Sequence, residues 1–392
     1  MRSLKVLSLH NYYRQSGGED RVFASEAALL EQNGHTVVRH EDHNDRIRPG
    51  AIGAARDAVW SHSAFDRLAS LVRSNPIDVA HFHNTFPLIS PSGYYAVRRS
   101  GIPVVQTLHN FRLICASATL SRNGSVCESC LEHRSLLPAI AHACYRNSRP
   151  ATAALATMLA VHRAAGTYRK QVDLYIALSE FARRKFIEGG LPQDRIVVKS
   201  NFVSPDPGAG EGRGDYALFV GRLSEEKGVG TLAAAWRGLS SVPLKVVGDG
   251  PLRTASWPDG VTWLGAQPRD RVMALMQEAR VLVFPSTWYE NAPLTIIEAL
   301  ACGLPVIASD IGSLPEFVQH GQTGLLFRPG DPADLARQVR AALSHPEKLR
   351  AMRVAARREY ESKYTPERNY KLLLEIYEIA AQNAHRERRQ AS

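Results

Sequence analysis

Residues 216–228 have the sequence YALFVGRLSEEKG, in which a five-residue apolar run ends at a glycine and a charged turn. Apolar runs of this length, without alternation of polar and apolar residues, are typical of strands buried on both faces of a parallel sheet. Gly221 permits a tight turn, and the segment after Gly228 has the pattern of a helix. The stretch therefore predicts a strand–turn–helix unit of a doubly wound α/β domain.

The same unit recurs along the chain. Further apolar runs rich in Val, Ile and Leu alternate with helical patterns, which favours two such domains. These runs cover residues 5–9, 36–39, 78–82, 103–108, 174–178, 195–198, 244–247, 261–264, 281–284, 305–308 and 324–327. Residues 201–215 contain four Gly and two Pro and predict a linker.

We therefore predict an N-terminal Rossmann-like domain over residues 1–200 and a C-terminal one over 216–365. Residues 366–392 are expected to form a C-terminal helix, over 366–381, and a polar tail, over 382–392. The helix is expected to pack back on the N-terminal domain, and the tail is expected to fray.

Composition excludes several classes of protein. A length of 392 residues fits two domains, and 22% charged with 44% hydrophobic residues does not fit a disordered chain. No run approaches the roughly 18–20 apolar residues of a membrane-spanning helix. The first ten residues enter a strand-like run without the pattern of a signal peptide, so we expect a cytoplasmic protein.

The net charge of +10 is unevenly distributed. Residues 1–200 hold 25 Lys and Arg against 16 Asp and Glu, a net charge of +9. Such a field concentrates anions, for which the candidates are an anionic small molecule, a lipid phosphate surface or nucleic acid. Nucleic acid is disfavoured, because the basic residues are scattered and no nucleic-acid-binding motif is present.

Polar residues follow many of the apolar runs directly. In open α/β sheets, ligands bind beyond the carboxyl ends of the strands, so these positions predict a site. They are His10, Asn11, His83, Asn84, His109, Asn110, Ser179, Glu180, Gly221, Arg222, Gly248, Asp249, Gly250, Pro285 and Ser286. With two such domains, we expect the ligand in the cleft between them.

Two basic and two acidic side chains in the second half suit a diphosphate and sugar hydroxyls. Arg222 and Lys227 emerge from one strand-to-helix turn, where they match a diphosphate. Glu290 precedes the apolar segment 294–301, and Glu298 lies within it, where a buried carboxylate is costly without a partner. Each residue alone has a structural explanation as a solvated charge, a cap-region acid or an ion-pair partner. The ordered set favours a site.

This ordered set resembles the retaining glycosyltransferases of family 4, which have the GT-B fold of two doubly wound Rossmann-like domains facing a central cleft. The resemblance covers essentially the whole chain. It rests on Gly221, Arg222, Lys227, Gly228, Glu290, Glu298, the segment 299–310 (ALACGLPVIASD), Gly312, Glu316, Gly321 and Gly324. In the first half, residues 17–19 (GGE) resemble the glycine-rich loop of the family, and residues 107–109 (TLH) resemble its acceptor-side histidine motif. Many relatives carry an Asp after this histidine, where this chain has Asn110.

The resemblance implies a retaining sugar transfer without a catalytic metal. Arg222 and Lys227 would hold the diphosphate in place of a divalent ion and stabilise negative charge as the sugar leaves. Glu298 would hold the ribose hydroxyls, and Glu290 would hold hydroxyls of the donor sugar. His109 would contact the sugar and the reacting centre.

The resemblance also implies a wider set of residues around the donor. That set is Gly17, Gly18, Glu19, Gly221, Gly248, Gly250, Asn291, Ala292, Pro293 and Leu294. The nucleobase is expected near residues 248–250 and 263–267.

Four of the five cysteines fall within 30 residues, in an insertion at 111–150 of the predicted N-terminal domain. They are Cys115, Cys127, Cys130 and Cys144, and the middle two form a CxxC pair. In a cytoplasmic chain such thiols favour a metal site over disulfides, and zinc is the simplest occupant. An iron–sulfur cluster and a chance arrangement without metal stay open. Cys302 is expected in the core.

We therefore expect a hexosyltransferase that moves a sugar from a UDP or GDP donor to a glycan or lipid-linked acceptor in cell-surface polysaccharide synthesis. The alternatives are a nucleotide-sugar epimerase or hydrolase on the same fold, and a non-catalytic nucleotide-sugar-binding protein. The expected partners are the nucleotide sugar and the acceptor. Peripheral contact with the anionic inner face of the plasma membrane is a further alternative that the basic first half suggests.

Overall fold

The structure is a computed structural model that describes residues 2–14, 17–47, 52–253 and 256–391. Every apolar run identified in the sequence overlaps a strand of the structure. The strands are β1 (Lys5–Tyr12), β2 (Thr36–His43), β3 (Val79–Asn84), β4 (Val104–Leu108), β5 (Ser121–Arg122), β6 (Ser125–Val126), β7 (Leu174–Ala177), β8 (Ile196–Val198), β9 (Ala217–Val220), β10 (Leu244–Val247), β11 (Val261–Trp263), β12 (Val281–Phe284), β13 (Val306–Ser309) and β14 (Gly324–Phe327).

Helices separate most of the strands, as the doubly wound pattern requires. They are α1 (Gly18–Gln32), α2 (Ile52–Val59), α3 (His62–Ser74), α4 (Ser92–Arg98), α5 (Ser129–Glu132), α6 (Leu137–Ala141), α7 (Arg149–Ala164), α8 (Thr167–Lys170), α9 (Glu180–Glu188), α10 (Val229–Trp236), α11 (Arg269–Glu278), α12 (Leu294–Ala301), α13 (Leu314–Phe317), α14 (Pro332–Leu343), α15 (Pro346–Lys363) and α16 (Pro366–Ala391). No helix among the described residues is long and apolar enough to cross a lipid bilayer.

The chain divides into two compact units. The first comprises residues 1–120, 128–200 and 370–392, and the second comprises residues 121–127 and 201–369. The C-terminal segment therefore groups with the first unit, although it follows the second in the sequence.

The first unit is built on a parallel sheet with the strand order β2-β1-β3-β4-β7-β8. Its central strands are buried along their whole length, which explains their continuous apolar runs. Helix α16 packs on this sheet, because Leu373, Ile376 and Tyr377 join strand residues such as Val105 and Ile176 in one buried cluster. Parallel strands end at the same edge, so β1, β3 and β4 deliver their following residues to one place.

The second unit repeats the architecture with the strand order β11-β10-β9-β12-β13-β14, again all parallel. Its core contains Trp236 of α10, Leu335 of α14 and Phe219 of β9, each at most 2% exposed. Adjacent strands β9, β10 and β12 place the turns that follow them side by side. The two sheets confirm the predicted fold class of two doubly wound α/β domains.

The expectation that residues 382–392 fray is wrong for the described part of this segment. Helix α16 continues to Ala391. Tertiary contacts explain the extension, because Glu387 forms ion pairs with Arg98 and Arg195. In addition, Asn383 Nδ2 donates to the Asp173 carbonyl at 3.2 Å. A polar sequence is thus fixed as a helix by partners on the first unit, which composition alone does not reveal.

Candidate active site

The basic turn after β9 is held by glycines that admit no side chain. Gly221 N–H donates to the Val247 carbonyl at 3.0 Å, which ties this turn to the end of β10. Gly248 has a φ of +138°, and a Cβ atom there would lie 1.9 Å from the Gly221 carbonyl oxygen. Gly228 has a φ of +71°, and its Cβ would lie 1.8 Å from the Pro285 carbonyl oxygen. Only glycine fits these two positions, so the turns after β9, β10 and β12 approach one another backbone to backbone.

Lys227 leaves this turn and meets the first of the two predicted acids. Lys227 Nζ lies 2.6 Å from Glu290 Oε1. The ammonium also lies 5.6 Å from the centre of the Phe284 ring and 5.4 Å from that of the Trp288 ring, within cation–π range. Residues 63 positions apart in the sequence therefore form one charged group at the carboxyl end of the sheet.

Glu290 is 8% exposed and is held by three donors. Besides Lys227, Ser286 Oγ donates to Glu290 Oε1 at 2.7 Å, and Trp288 Nε1 donates to the same oxygen at 2.8 Å. Its main-chain carbonyl accepts from Ser313 Oγ at 2.6 Å. A buried carboxylate with this many donors is fixed in position, which suits a group that must orient a ligand.

Arg222 is the second cation of the turn and is exposed. Its guanidinium donates to Glu226 Oε1 at 2.7 Å, and Ser224 Oγ donates to the same oxygen at 2.6 Å. Burial alone would raise the pKa of Glu226, but the hydrogen bonds from Ser224 and the contact with Arg222 outweigh it and lower the pKa. The Glu226 carbonyl accepts from Thr287 N–H at 2.9 Å, which links this turn to the loop that carries Glu290.

Glu298 lies in the middle of the apolar helix α12 and is 3% exposed. Arg269 Nε, at the start of α11, lies 3.9 Å from Glu298 Oε1. Helix α12 begins after Pro293, and the Ala292 carbonyl just before it accepts from Asn201 Nδ2 at 2.8 Å. Arg269 and Asn201 were not predicted, since nothing in the local sequence around either residue indicates these contacts.

Two further predicted donor-side positions are Gly250, which follows β10, and Trp263, at the end of β11. Gly250 packs against the backbone of Leu223, where a Cβ would lie 2.5 Å from the carbonyl oxygen. Trp263 at the end of β11 donates from Nε1 to the Gly248 carbonyl at 2.9 Å and keeps 40% of its surface exposed. An indole fixed at its edge and open on its surface has the shape of a stacking platform.

In the first unit, the predicted glycine-rich loop leads into α1. Gly17 is the N-cap residue with a φ of −126°. Among the described residues, a Cβ there would meet Glu19 Cγ at an ordinary contact distance of 3.9 Å, so neither φ nor these neighbours require glycine. Gly17 N–H donates to Asp20 Oδ2 at 2.9 Å. Asn110 Nδ2 donates to Glu19 Oε2 at 3.2 Å. Burial and the neighbouring Asp20 raise the pKa of Glu19 to about 7.

His109 follows β4 and is half-buried. Its Nε2 lies 3.0 Å from Nδ1 of His83, and the two rings stack with their centres 5.2 Å apart. Burial, together with the nearby histidines and Lys199, lowers the pKa of His109 well below 6.5. The polar residues at the ends of β3 and β4 thus meet, as their strand positions indicate. Glu26 and Lys199, which lie behind His83, were not identified from the sequence.

The cysteine-rich insertion consists of short elements, among them β5, β6, α5 and α6, joined by loops. Cys115 is buried, and its Sγ lies 3.1 Å from Ser117 Oγ, while Cys127, Cys130 and Cys144 are half-buried. Cys302 is buried in the second unit, as expected. The zinc assignment for the first four cysteines stays a prediction.

Two parallel six-stranded sheets flanked by helices are the architecture of the GT-B glycosyltransferases. Solved structures agree. A glycosyltransferase from Rickettsia africae ESF-5 is similar with a TM-score of 0.68 and 16% identity, over 98% of this chain and 100% of that chain. HepE from Anabaena, solved in complex with UDP-glucose, is similar with a TM-score of 0.66 and 19% identity, over 95% of this chain and 98% of that chain.

Family models cover almost the whole sequence. The model for Glycosyltransferase Family 4 matches residues 6–207, and the model for Glycosyl transferases group 1 matches residues 208–359. The chain therefore belongs to glycosyltransferase family 4.

Among characterised relatives, the amylovoran biosynthesis glycosyltransferase AmsK of Erwinia amylovora is 28% identical over 54% of this chain and 57% of its own length. The 2-deoxystreptamine glucosyltransferase of Streptomyces kanamyceticus is 29% identical over 76% of both chains. The chain thus spans little more than half of AmsK and about three quarters of the glucosyltransferase.

Proposed function

We propose that this protein is a retaining hexosyltransferase that moves a sugar from a nucleoside diphosphate donor to a glycan or lipid-linked acceptor in cell-surface polysaccharide synthesis. Membership of family 4 supports the transfer of a sugar. The printed function of AmsK, amylovoran biosynthesis, supports a polysaccharide pathway. The observation that carries the proposal is the contact between Lys227 Nζ and Glu290 Oε1 at the carboxyl end of the second sheet.

This contact joins the two kinds of group that a nucleotide-sugar donor needs. In the proposed complex, Lys227 and Arg222 bind the diphosphate, and Glu290 accepts hydrogen bonds from hydroxyls of the sugar next to it. Glu298 holds the ribose hydroxyls. The residues from Asn291 to Leu294, before and at the start of α12, line the donor through their backbone.

The proposed reaction breaks the bond between the anomeric carbon and the diphosphate oxygen and forms a bond to the acceptor oxygen on the same face. The leaving diphosphate accepts the proton of the acceptor hydroxyl, and His109 contacts the sugar at the reacting centre. Arg222 and Lys227 stabilise the charge that develops on the diphosphate, the task that a divalent ion performs in other transferases. The reaction is therefore proposed to need no metal.

UDP-glucose is the first donor to test, because HepE was solved with it and with UDP. A thermal-shift screen of UDP and GDP sugars identifies the donor through the stabilisation that a bound ligand produces. The purified protein is then incubated with that donor and glycan acceptors, and the anomeric configuration of the product is read by NMR. An α-configured product from an α-configured donor supports the proposal.

Other outcomes contradict it. Inversion at the anomeric carbon, or activity that EDTA abolishes and a divalent ion restores, contradicts the retaining, metal-independent mechanism. Release of free sugar or of an isomerised nucleotide sugar, with no dependence on acceptor, identifies a hydrolase or an epimerase. Donor binding without turnover against any acceptor favours a binding protein.

For the cysteine-rich insertion we propose a structural zinc ion held by Cys115, Cys127, Cys130 and Cys144. Non-glycine residues with positive φ are concentrated here, and such backbone persists only where other interactions fix it. They are Ala118, Leu120, Asn123, Arg134, Ala143, Arg146 and Asn147. Elemental analysis is expected to find about one zinc per chain, and Cys130→Ser is expected to lose it. Well-folded protein without zinc or iron contradicts the proposal, and iron with a visible absorption band identifies a cluster instead.

A cytoplasmic location, with peripheral contact to an anionic membrane, is part of the same proposal. The charge of +9 on residues 1–200 supports it. Co-sedimentation with vesicles that contain phosphatidylglycerol, and not with neutral vesicles, is the expected result. Equal sedimentation with both kinds of vesicle contradicts an electrostatic contact.

A further inference from the structure

A line of polar side chains leads from the interior of the first unit to His109. Lys199 Nζ lies 2.5 Å from Glu26 Oε1. The other oxygen of Glu26 lies 3.6 Å from His83 Nε2, and His83 Nδ1 lies 3.0 Å from His109 Nε2. Lys199 and Glu26 are each 2% exposed, and His83 is 3% exposed. The four residues come from four segments, which the parallel sheet brings together.

Burial favours the neutral form of both histidines in this line at neutral pH. Burial lowers the pKa of His83 well below 6.5, and the nearby His81, His109, His10 and Lys199 lower it further. Burial is also the main cause of the lowered pKa of His109. A neutral imidazole has one N–H donor and one nitrogen lone pair, so one of the two rings must donate to the other.

The ion pair decides which ring donates. A Glu26 carboxylate paired with an ammonium only accepts hydrogen bonds, so the His83 nitrogen that faces it is favoured as N–H. With its proton on Nε2, His83 carries a lone pair on Nδ1. His109 must then donate from Nε2, and its own lone pair lies on Nδ1.

We propose that His83 is a positioning residue, backed by the Glu26–Lys199 pair, that holds His109 in the tautomer whose Nδ1 accepts a hydrogen bond from a donor-sugar hydroxyl. The inference rests on the proposed function for the role of that hydroxyl, but not for the tautomer itself. It also accounts for Asn110, the residue that follows His109. Asn110 Nδ2 donates to Glu19 Oε2 and its Oδ1 accepts from Arg112 N–H, whereas His109 contacts His83 of β3.

Glu26, His81 and His83 also place their ligand atoms within 4.8 Å of one another, as in a metal site. The contacts around them favour the polar line instead, in which Lys199 pairs with Glu26. The 3.6 Å approach of Glu26 Oε2 to His83 Nε2 is longer than a hydrogen bond and acts through charge alone. Lys199 supplies the positive charge that Glu26 needs, and a divalent ion beside it would add uncompensated buried charge. Both ring nitrogens of His81 are already engaged, with Nδ1 2.9 Å from Tyr377 Oη and Nε2 2.8 Å from Thr107 Oγ1.

The test combines a spectroscopic and a kinetic measurement. The full-length protein, labelled with ¹⁵N-histidine, is studied by long-range ¹H–¹⁵N correlation NMR, which distinguishes Nε2–H from Nδ1–H tautomers. His83→Leu removes the acceptor for His109, and His83→Asn retains an amide oxygen that can reach it. Tyr94→Phe is the matched control, because it removes a buried hydroxyl bonded to Gln106, outside the line. UDP binding verifies that the second unit is intact in every variant.

In the wild-type protein, His109 is expected to be protonated on Nε2. In His83→Leu the His109 signals shift toward a mixture of tautomers, and kcat for transfer falls about 10- to 100-fold, the effect typical of removing the partner of a functional imidazole. His83→Asn restores most of this loss, and Tyr94→Phe changes neither the tautomer nor kcat.

Three results overturn the proposal. They are an Nδ1–H tautomer of His109 in the wild-type protein, a His83→Leu variant with unchanged tautomer and unchanged kcat, and a metal ion bound stoichiometrically at His83. If His83→Leu does not fold, the proposal is still tested by the His109 tautomer in the wild-type spectrum and by the tautomer and kcat of His83→Asn. Failure of the proposed transferase function is separate, since the tautomer is measured without substrate.

Discussion

Lys227 Nζ lies 2.6 Å from Glu290 Oε1, so the ammonium proposed to bind the diphosphate already holds the acid proposed to bind the sugar. An ammonium has three donors and can bind a phosphate oxygen while it keeps the carboxylate. The leaving group and the sugar would then be positioned through one side chain. The two residues nevertheless have different proposed ligands, so their roles can be separated by experiment. Replacing Lys227 should weaken the binding of any nucleotide, and replacing Glu290 should slow only the transfer step.

The first prediction concerns nucleotide binding. Lys227→Ala and Arg222→Ala are each expected to weaken UDP or GDP binding roughly 10-fold or more, since a charged hydrogen bond contributes about 1.5–3 kcal/mol. Isothermal titration calorimetry measures the loss. Arg253→Ala is a suitable control, because its guanidinium follows β10, is exposed, and lies 4.0 Å from Asp249. Unchanged affinity in both test variants would refute the diphosphate role.

The second prediction concerns the acid. Glu290→Gln keeps an oxygen that can accept from Lys227 but removes the negative charge. The affinity for UDP is expected to stay within about 3-fold or to rise, because the lysine no longer has an anionic partner. The kcat for transfer is expected to fall at least about 100-fold, as when an interaction realised in the transition state is lost. A variant that binds UDP poorly but turns over normally would contradict the assignment.

The sequence is informative about the sheets because their strands are buried on both faces. A short, continuous apolar run such as 281–284 then has few structural interpretations other than a buried strand. Each of the predicted runs overlaps a strand in the structure. The positions of residues at strand ends can be predicted equally well, since the carboxyl ends of parallel strands lie at one edge of the sheet. His83 and His109 illustrate it, because they follow adjacent strands and meet at 3.0 Å.

Partnerships across the chain are not encoded locally. In the sequence, Glu26 looks like an ordinary acidic residue of a helix, and Lys199 looks like a solvated residue that follows a strand. In the structure the two residues, 173 positions apart, form an ion pair. The spacing between Lys227 and Glu290 likewise carries no signal of their contact. The continuation of α16 over residues 382–391 was not predicted for the same reason, since the partners Arg98 and Arg195 lie far away in the sequence.

The third prediction tests the backbone of the basic turn. Gly228→Ala would place a Cβ 1.8 Å from the Pro285 carbonyl oxygen at a φ of +71°. The left-handed strain alone costs about 1–2 kcal/mol, and the overlap forces the turn and Pro285 apart. We expect a lower melting temperature and weaker UDP binding.

Gly230→Ala is the matched control, two residues further on in α10. Nothing lies within 4 Å of the Cβ that it would add. Replacing a helical glycine by alanine is expected to leave stability unchanged or to raise it by about 0.5–1 kcal/mol. Equal melting temperatures for the two variants would show that the close approach at Gly228 is not needed.

The fourth prediction concerns pH. Burial and Asp20 raise the pKa of Glu19 to about 7, above its ordinary value of 4.5. The folded protein therefore keeps this proton at pH values where the unfolded chain has released it. The contribution of Glu19 to stability is fully present below pH 4.5 and is lost as pH rises toward 7.

Glu19→Gln imitates the protonated carboxyl group at every pH. Its melting temperature is expected to exceed that of the wild-type protein at pH 8, and the difference should shrink as pH falls to about 5. Glu31→Gln is the control, because Glu31 lies on the same helix but is exposed and pairs with Arg39. Melting curves from pH 5 to pH 8 measure the effect. A difference that is constant across this range would mean that Glu19 ionises in the folded protein as it does in the unfolded chain, and one that grows toward pH 5 would mean that folding lowers the pKa of Glu19.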